Sequence, residues 1–93
     1  MKYTAKPTAQ FKKDVKRMQK QNKDMQLLWD VVEKLANGIS LPDEYRDHML
    51  SGNFKGIREC HIQPDWLLIY FINNDELVLE LSRTGSHSDL FGR

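Results

Sequence analysis

Three histidines are the residues of this chain best suited to proton-transfer chemistry. His48, His61 and His87 are its only histidines, and an imidazole both gives and takes protons near neutral pH. Two such groups at one site, with the carboxylate of Asp65 to orient one and the cation of Arg83 nearby, suit general acid–base attack on a phosphodiester. RNA carries its own nucleophile, the 2′-hydroxyl, so this chemistry requires no metal and no other cofactor.

The connectivity of the C-terminal half predicts that these residues meet. Three strand-like runs are joined by two tight turns: residues 54–62, 66–72 and 76–83, with turns at 64–65 and 73–75. This pattern indicates an antiparallel meander, in which the first strand ends, the second begins and the third ends at the same edge of the sheet. That edge collects a set of functional side chains: His61, Asp65, Trp66 and Arg83, with His87 just beyond the last strand.

His48 lies in a long segment without periodicity, residues 38–53. A loop of this length is uncommon in so small a domain unless it has a function. At about 3.3 Å per residue, the segment between His48 and Gly56 is long enough to fold over the same site.

Other interpretations of these side chains are open. Three histidines and an aspartate also ligate zinc, but no H-x-x-x-H or C-x-x-C spacing supports that. Each histidine alone is more often structural, and only their predicted convergence favours catalysis. Trp66 is either a core anchor or a platform for a base, and Phe91 either docks the C-terminal tail or meets a base.

A strand and a helical hairpin precede the meander. The strand covers residues 2–6 and is ended by Pro7; Thr8 caps a helix over Ala9–Lys20, and Asn22 or Asp24 begins a second helix through Ala36. Apolar residues at three- and four-residue intervals mark the core-facing sides. They are Phe11, Val15 and Met18 in the first helix, and Met25, Leu28, Trp29, Val32, Leu35 and Ala36 in the second.

A short final helix is predicted to begin after Ser86, which with Asp89 has the form of a capping box. His87 then occupies the first turn, where the helix dipole disfavours an imidazolium and a bound phosphate favours it. A histidine balanced in this way is suited to act as an acid when RNA is bound.

The charge is distributed unevenly along the chain. The 11.0 kDa chain has room for one domain, and its net charge is +1. Residues 1–23 hold eight Lys and Arg against one acid, a net +7, whereas residues 24–93 hold six against twelve, a net −6. Four basic residues of the first helix are therefore candidates to contact a polyanion: Lys12, Lys13, Lys16 and Arg17. The alternative is a solvated helix face.

The cellular location is predicted from three absences in the sequence. A single cysteine, Cys60, permits no internal disulfide. No signal-peptide pattern is present, and the longest apolar run, residues 66–72, is far shorter than the roughly 20 residues that span a bilayer. We expect a cytoplasmic protein without a membrane partner.

Several segments of residues 45–92 resemble the YafQ branch of the RelE/ParE toxin superfamily. They read Tyr-Arg-Asp-His at 45–48, Leu-Ser-Gly-Asn-Phe-Lys-Gly at 50–56, His-Ile-Gln-Pro-Asp-Trp at 61–66, Leu-Leu-Ile-Tyr at 67–70, Arg-Thr-Gly-Ser-His at 83–87 and Leu-Phe-Gly at 90–92, with Arg58 among them. The combination of H-x-x-P-D-W with R-T-G-[ST]-H is specific, whereas either alone is weak.

This resemblance implies an α+β, RelE-like microbial ribonuclease fold and a toxin of a type II toxin–antitoxin system. Toxins of this branch are metal-independent endoribonucleases that cut mRNA at the A-site codon of the translating ribosome. The implied partners are a cognate antitoxin, mRNA and the ribosome with its 16S rRNA.

The resemblance also implies roles for residues of this chain. The catalytic set is His48, His61, Asp65 and His87, and the residues that contact RNA or support the site are Trp66, Arg83 and Phe91, with Lys55 and Arg58 near phosphate. His87 is the expected general acid. The base is His48, or His61 held by Asp65. ParE-like relatives share the fold but poison gyrase, so a gyrase poison or a noncatalytic RNA-binding module is the alternative function.

Overall fold

The computed structural model describes residues 1–50 and 56–92. Within these residues, five strands form one sheet in the spatial order β1-β5-β4-β3-β2. The strands are β1 (Thr4–Pro7), β2 (His48–Met49), β3 (Ile57–Gln63), β4 (Trp66–Asn73) and β5 (Val78–Gly85). The helices are α1 (Ala9–Lys20), α2 (Met25–Ala36) and α3 (His87–Phe91), and one 3₁₀ turn covers Asp43–Tyr45.

The predicted meander is confirmed. Strand β4 pairs antiparallel with β3 on one side and with β5 on the other. Strand β5 begins at Val78 rather than at residue 76, because Leu77 has a φ of +54°, which an extended strand does not accommodate. The predicted start of β3 at Phe54 lies outside the described residues.

The N-terminal strand is shifted from residues 2–6 to Thr4–Pro7. It pairs parallel with β5, with Pro7 opposite Leu81. Pro7 is tolerated because β1 is an edge strand, where a missing backbone donor costs little.

The predicted helical hairpin is confirmed, with caps that the sequence indicated. Thr8 Oγ1 accepts a hydrogen bond from the backbone N–H of Phe11 at 3.0 Å, which starts α1. Asp24 caps α2 by accepting from the N–H of Gln26 at 3.2 Å. Asn22, the other candidate cap, instead adopts a positive φ of 58° between the helices.

The apolar stripe of α2 differs from the prediction at two positions. Trp29 is 39% exposed, whereas Val31, which the predicted stripe omitted, is buried. Leu28, Val31 and Leu35 form the buried line at i, i+3 and i+7, and Trp29 lies about 100° away from that line around the helix. Its ring contacts the edge of Phe11, with 6.5 Å between the ring centroids.

The segment predicted as a loop, residues 38–53, contains the 3₁₀ turn and the two-residue strand β2. Here His48 lies opposite Glu59 and Met49 opposite Arg58. Two residues are too few to show a strand pattern in the sequence, so this pairing was not predicted. It places His48 in the sheet instead of in a loop above it.

The two faces of the sheet differ in what covers them. The helices cover one face, and the core there includes Cys60, Leu68, Tyr70 and Leu79. On the other face Leu67 and Ile69 are also buried, which confirms that β4 is covered on both sides. Glu59 lies opposite Ile69 and His61 opposite Leu67, so these polar residues lie on the face without α1 and α2.

Candidate active site

His87 and Asp65 form the most closely bonded pair of the site. Asp65 lies in the turn between β3 and β4, and His87 is the first residue of α3, after its cap Ser86. The Asp65 carboxylate accepts the His87 backbone N–H at 3.0 Å and lies 2.6 Å from Nδ1 of the ring. Because a carboxylate accepts, Nδ1 carries the proton. The Nε2 atom of His87 therefore remains for a substrate.

The Asp65 carboxylate is held in its ionised form. Hydrogen bonds from the backbone N–H and then from the ring of His87 lower the pKa of Asp65 below its ordinary value of 3.8. The prediction that Asp65 holds His61 is wrong, because the N-terminal turn of α3 brings His87 to this carboxylate. A different acid, Glu59, faces His61.

Glu59 lies between the other two histidines. Its Oε1 is 3.5 Å from Nε2 of His61 and 3.6 Å from Nε2 of His48, and the residue is buried. His48 Nδ1 lies 2.7 Å from the carbonyl of Arg46, so that nitrogen is the donor and Nε2 faces Glu59. The Glu59 carboxylate is therefore within ion-pair distance of Nε2 of both histidines.

The structure brings His61 close to His87, as the meander predicted. Their ring centroids are 5.8 Å apart, with an angle of 59° between the ring planes. The His61 side chain is mostly buried, whereas those of His48 and His87 are about half exposed. One face of the sheet thus carries two histidines that share Glu59, beside a third that is held by Asp65.

Glu59 was missed from the sequence. A signal for it existed, since Glu59 and His61 are two residues apart on a predicted strand and such residues point to the same face. Glutamate on a short strand is nevertheless ordinary, and only the pairing of β2 with β3 shows that His48 lies on its other side.

Arg83 is on the same face, and a buried acid holds its side chain. It lies opposite Ile69, which in turn lies opposite Glu59. Its guanidinium donates from Nε and Nη2 to Asp14 of α1, at 2.9 and 3.1 Å. The hydrogen bonds to Asp14 raise the pKa of Arg83, so its charge is permanent.

Arg58 does not join the histidines. Strand alternation places it on the helix-covered face with Cys60, opposite to Glu59 and His61. Its Nε donates to Asp47 and to the hydroxyl of Tyr70, each at 3.3 Å. The predicted phosphate contact of Arg58 disagrees with its position on the face away from the histidines. The other predicted phosphate contact, Lys55, lies outside the described residues.

The two aromatic candidates occupy different environments. Trp66 is fully buried, and its Nε1–H donates to Thr84 Oγ1 at 2.9 Å. That ring is a core anchor and presents no surface for a base to stack on. Phe91, at the end of α3, is 42% exposed, so its ring is open to contact a base.

The four basic candidates of α1 also separate into two kinds. Lys12, Lys13 and Lys16 are exposed. Arg17 is only partly exposed and is bound internally: Nη1 donates to Asp14 at 2.9 Å, and Nη2 to the carbonyl of Thr84 at 3.0 Å. Arg17 is thus a structural residue, and the three lysines form the solvated basic surface.

Two open cavities flank the turn between β3 and β4. One, of about 460 Å³, is lined in part by Tyr45 and His61. The other, of about 470 Å³, is lined in part by Lys23 and Asp65. His61 therefore lines one of these spaces, and Asp65, the partner of His87, lines the other.

Two absences concern only the part of the chain that the structure describes. There, no group of three or more His, Cys, Asp or Glu side chains is arranged to hold a metal ion. Metal-free chemistry itself stays a prediction. In the same residues, no helix has the length and apolar character needed to cross a membrane.

Comparison with known proteins decides the family. Residues 3–92 match the family described as "Bacterial toxin of type II toxin-antitoxin system, YafQ". The chain belongs to the YafQ toxin family. It is 44% identical over 86 residues to the mRNA interferase toxin YafQ of Escherichia coli K12, and the match spans 91% of each chain.

Solved structures of YafQ-like toxins share the fold. The E. coli DinJ–YafQ complex matches with a TM-score of 0.88 and 42% identity, over 97% of this chain and 99% of that one. A metal-bound toxin from Helicobacter pylori matches with a TM-score of 0.90 and 45% identity, over 96% and 99%. These similarities confirm the predicted family and the predicted α+β, RelE-like fold.

We expect His87→Ala to raise the pKa of Asp65 only part of the way back towards 3.8, because the backbone N–H of residue 87 continues to donate. His61→Ala is the matched control and leaves the pKa of Asp65 unchanged. Carboxyl-carbon NMR titration between pH 2 and 6, as a rough range around the ordinary carboxyl value, measures both. An unaltered Asp65 pKa in His87→Ala contradicts the pairing described above.

Proposed function

We propose that this chain is a ribosome-dependent endoribonuclease that cleaves mRNA at the A-site codon by metal-independent acid–base catalysis. The observation that carries the proposal is the pair of neighbouring imidazoles of His61 and His87, whose ring centroids are 5.8 Å apart, with Asp65 bonded to His87 and Glu59 beside His61. A pure binding module has no need for two proton carriers that are each backed by a separate carboxylate.

The ribonuclease class rests on the family. The chain is an endoribonuclease of the mRNA interferase class, the activity that the name of its E. coli relatives states. The dependence on the ribosome, the position of the cut and the roles of individual residues are the proposed part.

His87 is assigned as the general acid. With Nδ1–H bonded to Asp65, a second proton resides on Nε2 and the carboxylate stabilises the resulting imidazolium. In the reaction the bond between phosphorus and the 5′-oxygen breaks, and the Nε2 proton moves to that oxygen. The hydrogen bond from the backbone of residue 87 keeps Asp65 in place as the charge on the ring changes.

His61 is assigned as the general base in preference to His48. Its ring is next to that of His87, with 5.8 Å between the ring centroids, so the assigned base and the assigned acid are neighbours. It takes the proton of the 2′-hydroxyl as the 2′-oxygen bonds to phosphorus, and Glu59 stabilises the charge gained. His48 shares the same carboxylate from the other side and provides the alternative base.

Arg83 supplies the positive charge for the phosphorane. It lies on the same face as Glu59 and is bonded to Asp14 through Nε and Nη2, so Nη1 is left to donate to a phosphate oxygen. Phe91 is the exposed aromatic at the opposite end of α3 from His87 and is assigned to stacking on a base.

Two macromolecular partners are included in the proposal. A cognate antitoxin is supported by the structures of E. coli YafQ in complex with DinJ. The ribosome, with its 16S rRNA, is assigned to the exposed lysines of α1, because a cluster of cations is attracted to a polyanion. Helix α1 covers the face of the sheet opposite to Glu59 and His61, so ribosome binding and chemistry are assigned to separate surfaces.

Replacing the acid tests the catalytic assignment. We expect His87→Ala to lower the rate of mRNA cleavage by about 100-fold or more, the usual contribution of a general acid, while antitoxin binding is retained. Asp75→Ala, in the exposed turn between β4 and β5, is the matched control and cleaves like the unmodified chain. Mapping of mRNA ends during translation measures each variant.

Full cleavage by His87→Ala contradicts the assignment of the acid. DNA damage with intact mRNA after expression of the unmodified chain indicates a ParE-like gyrase poison instead. Intact mRNA and intact DNA together indicate a binding module without catalysis.

Neutralising α1 tests the ribosome interaction. We expect the triple change of Lys12, Lys13 and Lys16 to Gln to weaken ribosome binding and to make its salt dependence shallower, by about 0.7 to 0.9 in slope for each phosphate that is no longer neutralised. The cleavage rate on saturated ribosomes stays the same, because the lysines belong to the helical face and the histidine pair to the other face of the sheet.

The control for this triple variant changes Lys2, Lys6 and Lys34 to Gln, which removes the same charge from outside α1. Equal ribosome affinity of the two triple variants at all salt concentrations contradicts a specific interaction of α1 with the ribosome. A reduced affinity for the antitoxin alone assigns the lysines to the antitoxin.

A further inference from the structure

Asp14 is a buried acid in a helix that is otherwise rich in cations. It is the only acidic residue among residues 1–23, and its side chain is fully buried. The sequence pattern gave no role to Asp14, since the apolar stripe of α1 passes through Phe11, Val15 and Met18. An ionised carboxylate in such a place requires a set of donors, because burial of a charge without partners is costly.

Four residues supply those donors, from α1 itself and from the end of β5. Oδ1 accepts from Gln10 Nε2 at 3.1 Å, from Arg17 Nη1 at 2.9 Å and from Arg83 Nη2 at 3.1 Å. Oδ2 accepts from Arg83 Nε at 2.9 Å and from the backbone N–H of Thr84 at 3.2 Å. Burial raises the pKa of Asp14, but these bonds together outweigh burial and lower it. The carboxylate is thus ionised at neutral pH.

The two bonds from Arg83 fix the orientation of its guanidinium. Nε and Nη2 lie on one side of the planar group, so a carboxylate that binds both sets the plane as well as the position. Nη1 is the nitrogen left over, and its direction is determined by Asp14. A lysine or an unbound arginine at residue 83 would lack this constraint.

The same carboxylate anchors the segment that leads to His87. The peptide N–H of Thr84 donates to Asp14, and the carbonyl of Thr84 accepts from Arg17 at 3.0 Å. The next residue is Gly85, and its lack of a side chain leaves room for the guanidinium of Arg17. A Cβ at residue 85 would lie only 2.6 Å from Nη2 of Arg17. The peptide of Thr84 is thus bonded on both sides. His87 comes three residues later, just after the junction where β5 ends and α3 begins.

We propose that Asp14 is a positioning residue of the ribonuclease site, which sets the direction of the Arg83 guanidinium and holds the β5–α3 junction that carries His87. This inference rests on the proposed function and deepens it. Asp14 touches no substrate and acts through Arg83 and Thr84. A buried ionic cluster is weak evidence for a role in stability, and the bonds of Asp14 to Arg83 and Thr84 point to a role in geometry.

Asp14→Asn is the direct test, because the amide has the same shape but lacks the charge and one acceptor. On saturated ribosomes we expect the single-turnover cleavage rate to fall by about 100-fold, the cost of a misplaced catalytic group. The ribosome concentration for half-saturation stays within about twofold, as the exposed lysines are unchanged. In the Arg83→Ala background the same change lowers the rate by less than about tenfold, because coupled residues are not additive.

A destabilised chain that is otherwise intact serves as the control. Val31→Ala removes two methyl groups from the buried side of α2, a helix that contributes no side chain to the Asp14 cluster, and lowers the melting temperature without touching the site. Its cleavage rate at 25 °C should match that of the unmodified chain. If Asp14→Asn does not fold, Asp14→Glu keeps the charge, displaces the carboxylate by one methylene and is expected to show the same fall in rate.

NMR of the free protein tests the bonds between Asp14 and Arg83 separately from the cleavage reaction. The Nε–H of Arg83 should be protected from hydrogen exchange with solvent in the unmodified chain, and this protection should be lost in Asp14→Asn. A protected Arg83 Nε–H in the variant, or cleavage within about threefold of the unmodified chain, overturns this inference. An unmodified chain that cleaves no mRNA overturns the proposed function instead, whatever the NMR result.

Discussion

The pairing of β4 with both β3 and β5 is the constraint on which the rest of the molecule depends. Residues from Trp66 to Tyr70 are buried, so the strand lies in the middle of the sheet with covered faces. This brings the end of β3, the start of β4 and the end of β5 to one edge, where Asp65 meets His87 and His61 lies 5.8 Å from the same ring. Residues that are distant in sequence thereby become one site.

The polar groups of the molecule are divided between the two faces of this sheet. On the side without α1 and α2, Glu59 lies between two histidines and a separate carboxylate holds the third, so the proposed general base and the proposed general acid have different partners. On the helical side, Arg58 is bonded to Asp47 and Tyr70 and contributes to the packing of the chain. Strand alternation thus separates Arg58 from the face that carries Glu59 and His61.

The sequence was sufficient for the helices, for β1 and for the convergence of His61, Asp65 and His87, because tight turns between apolar runs leave few ways to pair three strands. It was not sufficient for β2, which has only two residues. It was not sufficient for the partners of those side chains. Glu59 and Asp14 were missed, since a glutamate on a strand and an acid in a basic helix are ordinary in sequence and gain meaning only from neighbours distant along the chain. The uneven charge distribution was informative, but Arg17 shows that a cation in a basic run can also be internal.

The most direct test of the account is the chemistry of the cut ends on programmed ribosomes. Attack by the 2′-oxygen leaves a 2′,3′-cyclic phosphate on one fragment and a 5′-hydroxyl on the other. The account predicts these ends, and predicts no cleavage when the nucleotide before the cut is 2′-deoxy. A 3′-hydroxyl with a 5′-phosphate, or cleavage of the deoxy substrate, would contradict it, because the bond would then be broken by an external nucleophile.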